Sequence, residues 1–539
     1  VEEEDKRQEQ ESVMKVLVSD SLSGSGIEIL KNAGLTVDIK TGMSPAELIE
    51  VIPEYDGIVI RSGTKVVKEV VDAAKNLKVI GRAGSGLDNV DIPAATKRGI
   101  VVMNTPGGNT VTTAEHTMAM IISMARRVPQ ADASIKAGKW EKKKFMGIEL
   151  FHKTIGIIGL GAIGSHVAKL AQGMMMTVLA YDAYLSPENA REMGVEVVDL
   201  ETLYARSDII TIHTPLTPET KHLINAASIE KMKDGVRIVN CARGGIVNEE
   251  DLFEAMKRGK VAAAAFDVFE KEPVDPANPL IGLENFICTP HLGAATKEAQ
   301  ENVAVAVAEQ VADLLVRQVV RFAVNLPSVP PDLLPKVRPY IELAEKLGSF
   351  IGQTVEGGIE EVTIEYHGEA AEIEPAPMTV AALKGLLSPI LEEPVNSVNA
   401  PGIAKERGIK VDEAKSSQAG NFSSLIRIRV KAGDQVKTVS GAIFNKSEPR
   451  IVEIDQMSLE VIPEGVMIYL HNEDKPGVIG GLGNLLAERQ INISRMQLGR
   501  EQVGGKAISV VGIDAPLTPE SLEEIKAIPH VLSVKQVAL

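Results

Sequence analysis

At 539 residues the chain exceeds what one hydrophobic core organises, and domains of about 100–200 residues imply three or four. Its 57 Lys and Arg against 73 Asp and Glu leave a formal charge of −16, which argues against a nucleic-acid or anionic-membrane partner and requires any anionic ligand to find a local basic cluster. Two cysteines, Cys241 and Cys288, exclude a disulfide scaffold and point to a reducing compartment such as the cytoplasm, and no apolar run reaches the ~18 residues of a membrane span.

In chain order, residues 1–12 are mostly Glu, Gln, Lys and Arg without an apolar stretch, so a disordered extension is expected rather than a signal peptide. Val1 in place of Met leaves a removed transit sequence or an appended scar open. A first block, residues 13–106, alternates short buried-strand runs (Lys15 to Ser19, Gly57 to Arg61, Leu77 to Gly81) with helical patterns at Gly26 to Ala33 and Pro45 to Ile52. That alternation predicts a parallel sheet covered on both faces. A second block, residues 107–295, opens with a helix over Thr112 to Arg126 and repeats the alternation. A helix over Lys297 to Leu315 follows. Then Leu326 to Pro339, with Pro327, Pro330, Pro331, Pro335 and Pro339, reads as a linker. Residues 328–462 mix strands (Glu361 to Tyr366, Leu425 to Val430, Ile451 to Ile454) with helices and carry no motif that translates into chemistry. Residues 463–539 read β-α-β-β-α-β, the split βαβ of ferredoxin-like domains. The fold class expected is α/β: two doubly wound Rossmann-like domains, then an α+β domain, then the ferredoxin-like one.

The second block carries the most specific signal. The apolar run Thr154 to Ile158 leads directly into Gly159-Leu160-Gly161-Ala162-Ile163-Gly164, and a helical pattern follows. Gly159 permits the tight turn, Gly161 lets backbone approach a pyrophosphate, and Gly164 allows close packing of helix on strand. The phosphates then sit at a helix N-terminus, where unpaired N–H groups favour negative charge. Thr177 to Tyr181 forms a second apolar run ending in Asp182, 18 residues beyond Gly164. An acid at that spacing accepts from ribose hydroxyls and repels an added phosphate, so NAD is expected rather than NADP.

Three further apolar runs each end in a polar residue. Val236 to Ala242 leads to Arg243, Ala262 to Phe266 leads to Asp267 and Glu272, and Asn285 to Thr289 leads to His291. In a doubly wound sheet such residues converge at the carboxyl edge of the strands. Oxidising a secondary alcohol requires a base near neutral pKa, which His291 supplies. A carboxylate beside it, Glu272, stabilises the imidazolium and fixes its tautomer. Arg243 grips a substrate carboxylate through its planar fork. Singly, His291 reads as a loop histidine and Glu272 as a surface acid; with Arg243 and the glycine fingerprint, the catalytic reading prevails.

Cys241-Ala242-Arg243-Gly244-Gly245, Phe266-Asp267-Val268-Phe269 through Glu272-Pro273, Thr289-Pro290-His291-Leu292-Gly293-Ala294 and His213-Thr214-Pro215-Leu216-Thr217 resemble the signature segments of the D-2-hydroxyacid dehydrogenases. The resemblance covers roughly Met14 to Pro327. It implies Arg243, Glu272 and His291 as the catalytic triad, with His213, Thr214, Pro215, Ala242, Asp267 and Gly293 near the cofactor beside Gly159, Gly161, Ala162, Ile163, Gly164 and Asp182. It also implies a substrate domain split over 13–106 and 296–327 around an NAD domain at 107–295.

Arg61 in Arg61-Ser62-Gly63-Thr64 and Arg82 before Ala83-Gly84-Ser85-Gly86-Leu87-Asp88-Asn89-Val90-Asp91 each follow a strand, and together they resemble the substrate loops of phosphoglycerate dehydrogenases. That resemblance implies 3-phosphoglycerate as substrate, with Arg61 and Arg82 on the phosphate, Ser85 and Gly86 on the carboxylate, and Lys142 in Trp140-Glu141-Lys142-Lys143-Lys144 as a further contact. A lysine run is equally a solvated face. His471-Asn472-Glu473-Asp474-Lys475-Pro476-Gly477 resembles the amino-acid-sensing loop of ACT domains. Asn472, Asp474 and Asn492 are then expected at a serine effector site in a homo-oligomer, a tetramer by family architecture. No metal is expected. The competing readings are a reductase for glyoxylate or hydroxypyruvate and a non-enzymatic NAD-sensing co-repressor on the same scaffold.

Overall fold

The computed structural model describes residues 13–183, 187–330 and 332–539. The extension at residues 1–12 and Pro331 of the expected linker lie outside the described residues. Four sheets succeed one another along the chain. The first holds β1 (Lys15–Val18), β2 (Thr36–Ile39), β3 (Gly57–Ile60), β4 (Val79–Arg82) and β5 (Val101–Met103), all parallel, in the order 2-1-3-4-5. The second holds β6 (Thr154–Ile158), β7 (Thr177–Tyr181), β8 (Glu196–Val197), β9 (Ile209–Ile212), β10 (Val236–Asn240), β11 (Val261–Phe266) and β12 (Phe286–Cys288), also parallel, in the order 12-11-10-9-6-7-8. All four residues of β3 and of β9 are buried, as strands covered by helices on both faces require. Each sheet reverses its winding once, between β1 and β3 and between β6 and β9. These reversals open crevices at the carboxyl ends of the strands.

The helix Lys297–Arg317 returns to the first sheet. Thr296 caps it by accepting from the Ala299 N–H, and its Val303, Val307 and Val311 join the core of β1, β3 and β4. The expected linker ends earlier than its prolines imply, because a helix runs over Leu334–Thr354 and includes both Pro335 and Pro339. Pro335 costs nothing there: in the first turn its missing N–H has no intrahelical partner anyway.

The third sheet holds β13 (Ile359–Gly368), β14 (Lys410–Ser416), β15 (Ser424–Ala432), β16 (Gln435–Phe444), β17 (Glu448–Ile454) and β18 (Met457–Val461) in the order 14-13-15-16-17-18, antiparallel except for β13 with β14. The fourth holds β19 (Val466–Glu473), β20 (Ile493–Arg500), β21 (Lys506–Ile513) and β22 (Val531–Ala538), antiparallel in the order 20-21-19-22. Met467, Tyr469, Ile508, Val510 and Val537 of the fourth sheet share one core with Leu343, Leu347 and Phe350 of the Leu334–Thr354 helix. The Phe350 and Tyr469 rings meet edge-on at 5.2 Å. A loop of the third unit also enters the first core: Val398 is buried among its residues, and Asn396 Nδ2 donates to Gly99 O at 2.9 Å. Among the described residues no helix is long and apolar enough to cross a membrane, and no cluster of His, Cys, Asp and Glu has the makings of a metal site.

Candidate active site

At the reversal of the second sheet, β6 runs into Gly159, whose φ of 92° only glycine adopts without strain. A side chain there would also meet His213 O at 2.7 Å and Thr214 Cγ2 at 2.8 Å. Gly164 lies so close to this turn that a Cβ would approach Gly159 O to 2.1 Å. Gly161, the N-cap of the helix Ala162–Gly173, has nothing within 4 Å of where a Cβ would stand. Open space before exposed helix-terminal N–H groups is what a pyrophosphate needs. Asp182, at the end of β7, accepts from Leu160 N at 2.7 Å and so braces the same turn. The Thr214 hydroxyl is buried without a protein partner, an orphaned polar group at the mouth of the crevice. Burial pushes the His213 imidazole down to about 4, so it is neutral there. The residues present fit a dinucleotide.

The strand ends β10, β11 and β12 bring the triad expected from sequence into one place. Asn240, itself 1 % exposed, accepts from Ala242 N at 3.1 Å and donates to Arg243 O at 2.8 Å, folding the turn that carries Arg243. Gly244 then passes so close to the next strand's loop that a Cβ would sit 1.8 Å from Phe269 O. This contact sets Arg243 beside the loop of Glu272. His291 Nδ1 stands 2.8 Å from Glu272 Oε2, while Glu272 Oε1 accepts from Phe269 N at 3.1 Å. The bond to Glu272 raises the His291 pKa against the opposing effect of burial. Burial would raise the Glu272 carboxyl, but the bonds from His291 and from Phe269 N outweigh it and hold the carboxyl below its ordinary range.

His291 has a φ of 56°, rare for a side-chain-bearing residue, and Asp267 is what holds it there. Asp267 is 1 % exposed. Its carboxylate accepts from Thr289 Oγ1 at 2.5 Å, Leu292 N at 2.7 Å and Gly293 N at 2.8 Å, and its carbonyl accepts from His291 N at 2.9 Å. His116 Nε2 adds a contact at 3.2 Å, and Thr113 Oγ1 donates to Gly293 O at 2.8 Å. Asp267, expected near the cofactor, is thus engaged in bracing the histidine loop. His116 and Thr113 were not anticipated; their signal is a polar stripe on an otherwise apolar helix.

Across the interdomain cleft, Arg82 closes β4 and Arg61 follows β3. Burial and then the neighbouring Arg243 lower the Arg82 pKa, with Asp88 opposing, Arg61 adding to the fall and Asp20 opposing more weakly, so three guanidiniums and two carboxylates share one region. The Arg82 Nε is buried without a hydrogen-bond partner. Arg243 Nε meets Asp88 Oδ2 at 3.0 Å, joining the loops of the two units. Gly86 lies under Arg243, where a Cβ would stand 2.1 Å from Nη2. Ser85 is pinned by Asn104 Nδ2 on its carbonyl at 2.7 Å and by its own hydroxyl on Asn109 Oδ1 at 2.8 Å. Asp20 and Asn89, also unanticipated, hold the Arg61 turn. Asp20 carries the same signal as Asp182, an acid at the end of an apolar strand.

Two expectations are not met within one chain. Lys142 lies in an exposed 3₁₀ turn packed with Arg127 and Glu284 at the C-terminal end of the helix Thr110–Arg126, whereas the site touches that helix at Thr113 and His116. About ten residues at 1.5 Å each keep them apart. Asn472 and Asp474 lie at one end of β19, with Asp474 accepting from Gly504 N at 3.0 Å. Asn492 lies before β20 and donates to Asp514 at 3.0 Å, at the opposite end of the same sheet.

Residues 118–293 match the D-isomer specific 2-hydroxyacid dehydrogenase NAD binding domain, residues 336–455 the D-3-phosphoglycerate dehydrogenase intervening domain, and residues 466–530 the ACT domain. A D-3-phosphoglycerate dehydrogenase of Archaeoglobus fulgidus is 48 % identical over 528 residues, covering 98 % of this chain and all of that one. One of Bacillus subtilis is 42 % identical over 98 % of this chain and all of its own length. Among solved structures, the TT0316 protein of Thermus thermophilus aligns with a TM-score of 0.54 at 36 % identity, covering 58 % of this chain and all of that one. The D-lactate dehydrogenase of Aquifex aeolicus, solved with NAD and lactic acid, aligns at 0.52 and 28 % identity over 58 % of this chain and all of that one.

Proposed function

Because the chain belongs to the D-3-phosphoglycerate dehydrogenases, within the D-isomer-specific 2-hydroxyacid dehydrogenase family, we propose that it oxidises 3-phospho-D-glycerate to 3-phosphohydroxypyruvate, the first step of serine biosynthesis. Bound NAD supplies the acceptor for the hydride that leaves C2 of the substrate. His291 takes the hydroxyl proton at Nε2: its Nδ1 faces the Glu272 carboxylate and therefore carries the other proton. The Glu272 charge stabilises the imidazolium as it forms. Arg243 holds the substrate carboxylate over Ser85 and Gly86 and draws charge onto the developing ketone. Arg82 and Arg61 receive the phosphate. Gly159 to Gly164 and the helix N-terminus carry the pyrophosphate, and Asp182 receives the adenosine ribose and excludes a 2′-phosphate.

The observation that carries a phosphorylated substrate is the meeting of three arginines at one loop of a chain whose formal charge is −16: a Cβ on Gly84 would stand 2.4 Å from Arg82 Nη1, one on Gly86 2.1 Å from Arg243 Nη2, and Asn89 of the same loop donates to Arg61 O at 2.6 Å. Asp88 pairs with Arg243 at 3.0 Å and Asp20 is engaged by the Arg61 backbone N–H, so two carboxylates answer three guanidiniums, and a substrate bearing a phosphate and a carboxylate supplies the further negative charge. The test is NADH oxidation with 3-phosphohydroxypyruvate, hydroxypyruvate and glyoxylate. A kcat/KM for the phosphorylated acid no higher than for the other two would refute the assignment.

The C-terminal ACT domain is read as the effector module, with serine as the ligand. Asn472 and Asp474 sit at the opposite end of the sheet from Asn492, so a site using all three draws on two copies of the chain. Trp140, Met146 and Phe151 are large apolar side chains left exposed within one stretch of the chain, which suits a homo-oligomer, and light scattering reads its size.

A further inference from the structure

We infer that Asn89 sets the reach between the two ends of the substrate site, and so decides how strongly a phosphorylated 2-oxo acid is preferred over an unphosphorylated one. The inference rests on the reading of Arg61 as a phosphate ligand. Arg61 belongs to the turn 61–64, and among the described residues its guanidinium makes one long contact, to Ser21 O at 3.4 Å. What is fixed is its backbone. From one side Asp20 Oδ2 accepts from Arg61 N at 2.6 Å and Thr64 N at 3.1 Å, while Ser19 Oγ and Thr64 Oγ1 meet at 2.8 Å. These bonds tie the turn to the end of β1. From the other side Asn89 Nδ2 donates to Arg61 O and to Thr64 O, each at 2.6 Å.

Both hydrogens of the amide are therefore spent on the two carbonyls that bracket the turn. Asn89 itself is anchored, its own carbonyl accepting from Val66 N at 2.8 Å. Three residues earlier in the same loop stands Gly86, against which Arg243 packs. Asn89 is thus the side chain that joins the Arg61 turn to the loop of the carboxylate end. Asn89 touches neither reacting atoms nor cofactor; it is a positioning residue. Proximity effects are steep, so a small drift of a charged ligand group away from its partner lowers transition-state binding for that group alone.

Asn89→Asp keeps the shape but turns both donors into acceptors facing carbonyl oxygens; Asn89→Ser removes the donors without adding charge. Each is measured beside Arg61→Ala, with 3-phosphohydroxypyruvate and hydroxypyruvate as substrates and NADH binding followed by fluorescence. The expected result is a fall of roughly tenfold in the ratio of the two kcat/KM values for both Asn89 variants. Turnover of hydroxypyruvate and the NADH Kd then stay within about threefold of wild type. If Arg61→Ala lowers the ratio and neither Asn89 variant does, the inference is overturned while the function proposed above stands. Equal losses on both substrates would make Asn89 a fold element only and overturn it as well. If Arg61→Ala itself leaves the ratio unchanged, Arg61 does not meet the phosphate and the inference falls with that reading.

Discussion

Replacing Glu272 with Gln tests the catalytic pair because a carboxylate meets two demands there that an amide cannot. Oε1 accepts from Phe269 N at 3.1 Å and Oε2 accepts from His291 Nδ1 at 2.8 Å. A glutamine has one acceptor. If its oxygen stays on Phe269 N, its NH2 group faces Nδ1 and drives the imidazole proton to Nε2, the atom that must be free. If it flips, Phe269 N–H is left unpaired, at about 1–3 kcal/mol. Either way the charge that stabilises the imidazolium is gone. General-base contributions run to about 10²–10⁴-fold, and the expected fall in kcat is about 10²-fold with KM moved less than about threefold. The same substitution moves the acid limb of the kcat/KM profile for alcohol oxidation to lower pH, because the His291 pKa is raised chiefly by its bond to Glu272. A kcat within about threefold of wild type and an unmoved limb would refute the pairing as a catalytic device. Stability follows a separate course. The raised histidine contributes below about pH 6.5 and loses its share as pH rises through its folded pKa, while the lowered Glu272 contributes above about pH 4.3 and loses its share as pH falls through its own. With 50 % and 39 % of the two side chains exposed, the ion pair itself adds under about 1 kcal/mol, so the variant's thermal midpoint should barely move if the amide oxygen stays on Phe269 N and should fall measurably if it flips.

Gly244→Ala places a methyl 1.8 Å from Phe269 O, so a loss of about 1–3 kcal/mol in denaturant unfolding, together with a large fall in kcat, is expected; a fully active, equally stable variant would contradict the close approach. Asp182→Ser should raise the NADP-to-NAD ratio of kcat/KM by at least about tenfold, read directly with the two cofactors, although the lost brace on Leu160 N also weakens NAD. His116→Leu removes a contact to Asp267 and should lower kcat by several-fold, whereas His116→Gln, which keeps a donor, should restore most of it; equal rates in both would leave His116 without a part in bracing the His291 loop. Millimolar L-serine should slow the enzyme or raise its thermal midpoint, and Asp474→Ala should abolish either response; no response in wild type removes serine as the effector.

The parts legible in the sequence were those in which chemistry follows an apolar strand directly. The run into Gly159, the acid at 182, and the turns bearing Arg243 and His291 all announce themselves this way, because a parallel sheet buried on both faces puts its only reactive positions at the strand ends. What sequence reasoning missed lies on elements that meet the site from elsewhere in the chain. His116 and Thr113 reach Asp267 and Gly293 from a helix more than 150 residues upstream, and nothing local to that helix signals its partner. Asn89 reads in the sequence as part of a loop, yet its amide bonds Arg61 O and Thr64 O, which the β3–β4 pairing brings within reach. The proline-rich segment misled for the opposite reason. Pro335 occupies the first turn, where proline is tolerated, and the helix continues through Pro339 as well, so composition marked a linker where a 21-residue helix begins. That helix matters more than its sequence suggests. Leu343, Leu347 and Phe350 on it serve the third and fourth sheets in one core, and Val398 ties the third unit to the first. The same loop's Asn396 donates to Gly99 O just before β5, so the third unit is seated at the end of the first sheet remote from Arg61 and Arg82, a contact that no reading of either block alone could supply.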